Sequence, residues 1–115
     1  LNRQGTDYDL ILTGDLSTYG KSIMKELMNE NSVTYNEYDD CGCLLYDSDQ
    51  DVNQGGSGPS CSALVAFGYI YQKMLKHKYK RVLVITTGAL LSPVMTNQKQ
   101  SIPCIAHAFS LEVVE

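Results

Sequence analysis

The sequence predicts an α/β domain: a mixed, mostly parallel sheet of about four or five strands, helices on both faces and an antiparallel last strand. Three observations carry this expectation. Leu10-Ile11-Leu12 and Val82-Leu83-Val84-Ile85 are short continuous apolar runs, the pattern of strands buried on both faces of a parallel sheet. Helical patterns lie between those runs. The last segment, by contrast, alternates apolar and polar residues, as a strand with one covered face does.

The first strand spans Asp7 to Thr13 and ends at Gly14. Ser17 or Thr18 is a suitable N-cap for the next helix, which places Ile23, Met24, Leu27 and Met28 on one face and fades at Asn29 to Asn31. Val33 to Tyr38 reads as a second strand and Cys43 to Tyr46 as a third, with Asp39, Asp40, Asp47, Asp49 and Asp51 in the turns around them. Asp47, Asp49 and Asp51 resemble the start of an EF-hand loop, but Val52 occupies the glycine position and Gly58 the glutamate position. A solvated acidic turn accounts for them better.

Gly55-Gly56-Ser57-Gly58-Pro59-Ser60-Cys61-Ser62 then leads into a long helix that reaches about Lys76. From Ala63 to Tyr71 this helix has no charged residue, and a helix that is apolar all round must be covered all round. One sheet covers a single side, so a missing half of the protein or a second copy must pack on the other. Arg81 to Thr87 is the next buried strand, and a Ser-, Thr-, Asn- and Gln-rich linker runs from Ala89 to Pro103. The last strand, about Ile105 to Val114, points Phe109, Leu111 and Val113 one way and Ser110 and Glu112 the other, which places it near an edge.

With 115 residues, 43% hydrophobic and 19% charged, the chain is globular and fits a single domain. No apolar run reaches the roughly 18 residues of a membrane span. No charged-then-apolar leader opens the sequence, and a start at Leu1 suggests a piece of a longer protein. The net charge of −4 gives no support to nucleic-acid binding. Lys73, Lys76, Lys78, Lys80 and Arg81 read as cations gathered at a helix C-terminus, where the macrodipole favours them. Cys41, Cys43, Cys61 and Cys104 lack the paired spacing of a zinc site and read as buried or semi-buried free thiols in a reducing compartment.

The glycine-serine loop has two readings. Its backbone N–H groups, together with the helix N-terminus that follows, favour an anion, with Ser57, Ser60 and Ser62 as further donors. Alternatively, its glycines serve a tight turn that lets the helix pack closely. It lacks the lysine of a nucleotide P-loop and the glycine spacing of a dinucleotide fold. Cys61, at the helix start, could be an activated nucleophile with His107 as its base, or an inert small hydrophobe; His77 lies in the basic helix end. Thr13-Gly14 and Thr87-Gly88 both fall at the carboxyl end of a buried strand, the edge where ligands settle in open α/β sheets.

Asp9-Leu10-Ile11-Leu12-Thr13-Gly14-Asp15-Leu16, Asp40-Cys41-Gly42, Gln50-Asp51-Val52 leading into Gly55-Gly56-Ser57-Gly58, Thr87-Gly88-Ala89-Leu90-Leu91-Ser92-Pro93 and Ser101-Ile102-Pro103-Cys104-Ile105-Ala106-His107-Ala108 occur in that order. Together they resemble the carboxyl-terminal part of the stage V sporulation protein AD family, over nearly the whole chain. The resemblance implies half of a thiolase-like fold, with two similar halves and a buried helix from each in the middle. It also implies a non-enzyme that binds dipicolinic acid, free or as its calcium chelate, during uptake into the developing spore. The implied setting is a soluble protein peripherally associated with the inner membrane, beside membrane proteins of the same operon. It needs no cofactor and no metal, and its further partner is the missing amino-terminal half or a homodimer. Pro59 and Ser60 before Cys61, and Cys104 after Ile102-Pro103, depart from the family pattern.

By analogy with that fold, strand ends, helix N-terminus and linker converge, and the expected ligand contacts are Asp15, Ser17, Ser57, Ser101 and His107. Asp15 suits a dianion only with a cation between them. The alternatives are an acyl-transfer enzyme using Cys61 or Cys104 with His107, and a purely structural dimerisation half. In the thiolase relatives the nucleophilic cysteine belongs to the amino-terminal half, and the histidine near the Gly-Ser-Gly loop has no counterpart here.

Overall fold

The computed structural model describes residues 2–89 and 92–114; Leu90 and Leu91, within the motif from Thr87 to Pro93, lie outside the described residues. A 3-10 turn (Gly5–Asp7) leads into β1 (Leu10–Thr13), α1 (Ser17–Glu30), β2 (Tyr38–Asp40) and α2 (Cys41–Leu44). A continuous helical rod follows, built from α3 (Cys61–Ala63), a π-helical stretch (Leu64–Ile70) and α4 (Tyr71–Leu75). Then come β3 (Arg81–Ala89), α5 (Pro93–Asn97) and β4 (Cys104–Glu112). The strands make a four-stranded sheet in the order β2-β1-β3-β4, with β1 parallel to β2 and β3, and β4 antiparallel to β3.

β1 is buried along its whole length because each face of the sheet is covered. Leu10 and Leu12 point toward the rod and pack with Val65, Ala66, Ile70, Val82 and Val84. Ile11 points the other way and joins Tyr8, Met28 and Tyr38, with Met24, Leu83 and Ile85 partly buried against them. The apolar run therefore divides by parity between two cores, as strand geometry requires. On α1, Met24 and Met28 face the sheet, whereas Ile23 and Leu27 are exposed at its margin, so the covered stripe is narrower than the sequence suggests.

Three elements depart from expectation. The second strand is Tyr38–Asp40 rather than Val33 to Tyr38, since Ile11 N–H donates to Glu37 O and pairing with β1 begins there. Cys43 to Tyr46 is not a strand: the Asp40 side chain accepts from Gly42 N–H as an N-cap and turns the chain into α2. The linker from Ala89 to Pro103 contains α5, started by Ser92 Oγ, which accepts from Met95 N–H at 3.3 Å, and by Pro93 in the first turn. The final strand is an antiparallel edge, as expected, running from Cys104 to Glu112.

The rod shows both an apolar circumference and a bare side. Cys61, Val65, Ala66, Ile70 and Met74 are buried against the sheet, while Leu64, Phe67, Tyr71 and Leu75 are each about half or more exposed. Its basic end is dispersed rather than patch-like. Lys73 Nζ lies 4.1 Å from the Tyr69 ring centroid, Lys78 Nζ 4.8 Å from that of Tyr79, and Arg81 pairs with Glu112 at 3.3 Å.

Three helices stop without glycine. Ser32, His77 and Lys99 adopt φ near +55° after α1, α4 and α5. In each case the next amide closes back over the last turn: Val33 N–H to Met28 O, Lys78 N–H to Lys73 O and Gln100 N–H to Met95 O. These are Schellman endings, in which a left-handed residue redirects the chain and satisfies orphan carbonyls. A Cβ there is strained, partly offset by the restriction it places on the unfolded chain. His77→Gly should therefore raise unfolding stability by about 0.5–1 kcal/mol. The check is a urea midpoint that moves up at constant slope; a lower midpoint would show that the imidazole itself stabilises the fold.

Candidate functional site

Connections leave β1 in opposite senses: the chain goes through α1 to β2 on one side and later reaches β3 on the other. β1 stays paired with β3 to its last residue, Thr13 against Ile85, and the chain then turns away while β3 runs on to Ala89, which leaves a crevice at the edge where open α/β sheets take their ligands. A cavity of about 930 Å³ lies there. Gly14 and Asp15 from the β1–α1 turn form one wall, and Pro59 and Ser62 at the start of the rod form another. Thr86 and Gly88 of β3 and Cys104 and Ala106 of β4 close the remaining side.

The turn that carries Asp15 is fixed by Asp40, which is fully buried at the end of β2. Asp40 Oδ1 accepts from Thr13 Oγ1 at 2.6 Å and Leu16 N–H at 3.0 Å. Oδ2 accepts from Ser17 N–H at 2.8 Å and Gly42 N–H at 2.9 Å. With its own proton directed at Asp40, Thr13 accepts from Tyr38 OH at 3.0 Å, giving a relay Tyr38–Thr13–Asp40. Burial foremost pushes the Tyr38 phenol up to about 12, so it stays a donor throughout the physiological range.

The glycine loop docks onto this frame. Gly56 N–H donates to Gly42 O at 2.7 Å, and Ser17 Oγ donates to Gly56 O at 3.0 Å. Close packing needs the missing side chains: a Cβ on Gly56 would lie 2.4 Å from Leu45, and one on Gly55, where φ is +111°, would lie 2.5 Å from Gly42 O. Farther along, Gly58 N–H and Ser57 Oγ both donate to Asp15 Oδ2, at 3.0 and 3.1 Å. Part of the loop's donor capacity is thus directed at the protein's own carboxylate.

The expected contact residues distribute unevenly around the cavity. Asp15 lines it, and Ser57 stands behind Asp15 as its donor. Ser17 is buried beneath the loop with a left-handed φ of +62°, its N–H and hydroxyl both spent on Asp40 and Gly56. His107 is exposed midway along β4, its carbonyl accepting from Thr86 Oγ1, and Ser101 is exposed in the loop before that strand; neither lines the cavity. Ser62, read as a donor of the glycine-serine loop, and Gly88, read as a strand end where ligands settle, do line the cavity, whereas Thr86 is a lining group that the strand-end argument missed. Its signal was the register of β3 against β4, which no single-sequence pattern displays. Asp40 was visible in the Asp40-Cys41-Gly42 motif, but only its burial shows what it does.

All four cysteines are free thiols, and Cys104 differs from expectation in being exposed. Burial foremost, then the neighbouring Asp40, pushes the Cys41 thiol up to about 12. Burial also raises Cys61, followed by the carboxylates Asp15 and Asp40, which opposes any activation by the helix start. Among the described residues, no group of three or more His, Cys, Asp or Glu side chains is arranged to hold a metal ion. No helix among them is long and apolar enough to cross a membrane.

A family model described as stage V sporulation protein AD matches residues 1–112. A curated relative, stage V sporulation protein AD of Bacillus subtilis (strain 168), is 50% identical over 113 residues. That match covers 97% of this chain and 33% of the relative, so the chain spans about a third of the relative's length.

Two outcomes follow from this geometry. Asp40→Ala strands three amides and a hydroxyl in a buried site and should cost about 3–5 kcal/mol of unfolding free energy. A chemical-denaturation loss under about 1 kcal/mol would show that water replaces the carboxylate at little cost. In the native protein at neutral pH, an alkylating reagent followed by peptide mapping should label Cys104 first. Cys41 and Cys61 should react only after unfolding, because both are buried and burial holds their thiols above the ordinary value.

Proposed function

The chain belongs to the stage V sporulation protein AD family, and on that premise we propose that it is one wall of a non-catalytic binding protein that takes up dipicolinic acid during sporulation. A role in sporulation is what the family name and the curated relative support. The finer reading rests chiefly on the cavity between the carboxyl ends of β1 and β3, the place where an open α/β sheet offers converging backbone and hydroxyl donors. Ser62 supplies a neutral donor suited to a carboxylate oxygen, Thr86 Oγ1 being already committed as a donor to His107 O, and the flat apolar surface of Pro59 suits an aromatic ring. Asp15 repels a bare dianion, so its presence on the rim favours entry of the acid with a cation bound.

Binding rather than catalysis also fits the thiols. A nucleophile needs a lowered pKa, and those of the buried Cys41 and Cys61 lie above the ordinary value. One observation favours the second reading, an acyl-transfer enzyme: Cys104 is exposed and lines the cavity. The bare side of the rod supports a partner half, either the rest of a thiolase-like protein or a second copy, and the setting proposed is the inner membrane surface of the developing spore beside membrane partners.

Calorimetry on the full-length family protein tests the binding reading. Ser62→Phe fills the cavity and should weaken dipicolinate binding by at least about tenfold, or 1.4 kcal/mol. Asp15→Asn should strengthen binding of the metal-free acid and weaken binding of its calcium complex. Unchanged affinity in a folded Ser62→Phe variant would remove this cavity from the site, and rapid turnover of an acyl thioester dependent on Cys104 would replace the reading with the enzymatic one.

A further inference from the structure

α1 lies on the opposite face of the sheet from the rod, since Met28 packs with Ile11 whereas the rod packs with Leu10 and Leu12. A cover laid over the bare side of the rod therefore leaves α1 in solvent. The outer surface of α1 is nonetheless apolar along one line. Tyr19, Ile23 and Leu27 are 72%, 42% and 48% exposed. Their spacing of four residues sets them in a single ridge, about 12 Å from first to last. Val33 is exposed as well, and its N–H on Met28 O folds it back against the last turn, at the end of the ridge. The ridge begins beside the cavity. Leu16 lines that cavity, and a Cβ on Gly20, in the first turn of α1, would lie 2.9 Å from Leu16 Cβ. The neighbouring row of the helix is Thr18, Ser22, Glu26 and Glu30, all exposed, with two carboxylates and no cation. Lys21 and Lys25 stand one row further round, and Lys21 pairs with Asp39.

We propose that this ridge seats an α-helix of another protein, apolar along one stripe and carrying lysine or arginine beside it. A ridge of residues four apart packs into the groove between the corresponding rows of a second helix, so the spacing itself selects a helical occupant. Glu26 and Glu30 then select its charge, because they flank the apolar contact where a facing cation is partly desolvated and pairs best. A second copy of the chain fits less well. It brings a net charge of −4, and its own α1 offers no cation on the side that would meet Glu26 and Glu30. A lipid surface fits less well again, since helices that lie on anionic membranes carry Lys and Arg, not Glu, along the margin of their apolar face. A partner helix seated on the ridge stands at the rim of the cavity, where it can govern access to what the cavity holds. Control of access rests on the cavity being a binding site, whereas the docking does not.

Peptide binding to the full-length protein that contains this chain tests the proposal, read as the anisotropy of a labelled amphipathic helix of leucine and lysine. No dipicolinate is present, so failure here and failure of the proposed ligand are told apart. The leucine–lysine peptide should bind, less tightly as salt is raised, and a leucine–glutamate peptide of the same pattern should not. Ile23→Lys places a cation in the ridge and should weaken binding by at least about tenfold. The double change Glu26→Lys with Glu30→Lys should weaken it likewise and admit the leucine–glutamate peptide in its place. All three positions are exposed, so these variants should keep the circular dichroism spectrum and unfolding midpoint of the parent. No binding of the leucine–lysine peptide, or binding indifferent to both variants, overturns the proposal. So does binding lost in Phe67→Lys but kept in Ile23→Lys, which would place the contact on the rod. Attachment to phosphatidylglycerol vesicles that exceeds peptide binding and is lost in Ile23→Lys would replace the partner helix with a membrane.

Discussion

Everything at the carboxyl end of the sheet is arranged around one buried carboxylate. Asp40 receives a hydroxyl from β1, two amides from the β1–α1 turn and one from α2, all within 3.0 Å. An isolated buried charge is prohibitive, and a buried ion pair is a weak source of stability. Here backbone dipoles take the role of a cation, and each bond also ties down a loop that has no regular structure of its own. Asp15 is placed by the turn that Asp40 holds, and the glycine loop is placed by Gly42 and Ser17, which that same carboxylate positions. Cavity walls from three separate stretches of sequence are thus registered to one another through a residue that does not line the cavity.

How much of this was legible beforehand depended on whether the cause was local. The apolar runs of β1 and β3 report burial on two faces, and the alternation of β4 reports one, because parity along a strand is written in consecutive residues. The ends of α1 and of the rod were legible from the fading apolar pattern, at Asn29 to Asn31 and about Lys76, but the left-handed residues that make those endings, Ser32 and His77, were not, and the helix that Lys99 ends was read as linker. The helical turn at Cys41–Leu44 was mistaken for strand because Cys43, Leu44, Leu45 and Tyr46 are apolar; what decides it is Asp40, whose capping role needs a partner frame far away in sequence. At the site the same rule holds. The strand-end position of Asp15 and the packing demand of the glycine loop could be read directly, whereas the inward turn of Ser17 and the lining contributed by Thr86 depend on strand register and on the docking of the loop.

The rod joins the cavity at the sheet's carboxyl end to the chain's largest bare apolar side. Its first turn contributes Ser62 to the cavity, its inner side carries the core, and its outer side is left apolar and uncovered. A monomeric domain that buried all its apolar side chains would leave a polar outer face here. This one keeps Leu64, Phe67 and Tyr71 in solvent, as a component of a larger body does. The cavity has the same character, being walled by this chain in part and open beyond it.

The middle of that rod is wound as a π-helix from Leu64 to Ile70, a wider turn between two α-helical ends. A π turn accommodates one residue more per hydrogen-bonded ring than an α turn, at a cost in backbone geometry. In mechanical terms it is a slack coil between two stiff couplings. The leading end is tied to the glycine loop by Cys61 N–H on Gly58 O, and the trailing end is held by Met74 in the core. A shift of the wide turn along the rod between these ends would change which way its outer side chains face while leaving both ends in place, so it would be displayed on the aromatic outer surface rather than in the core.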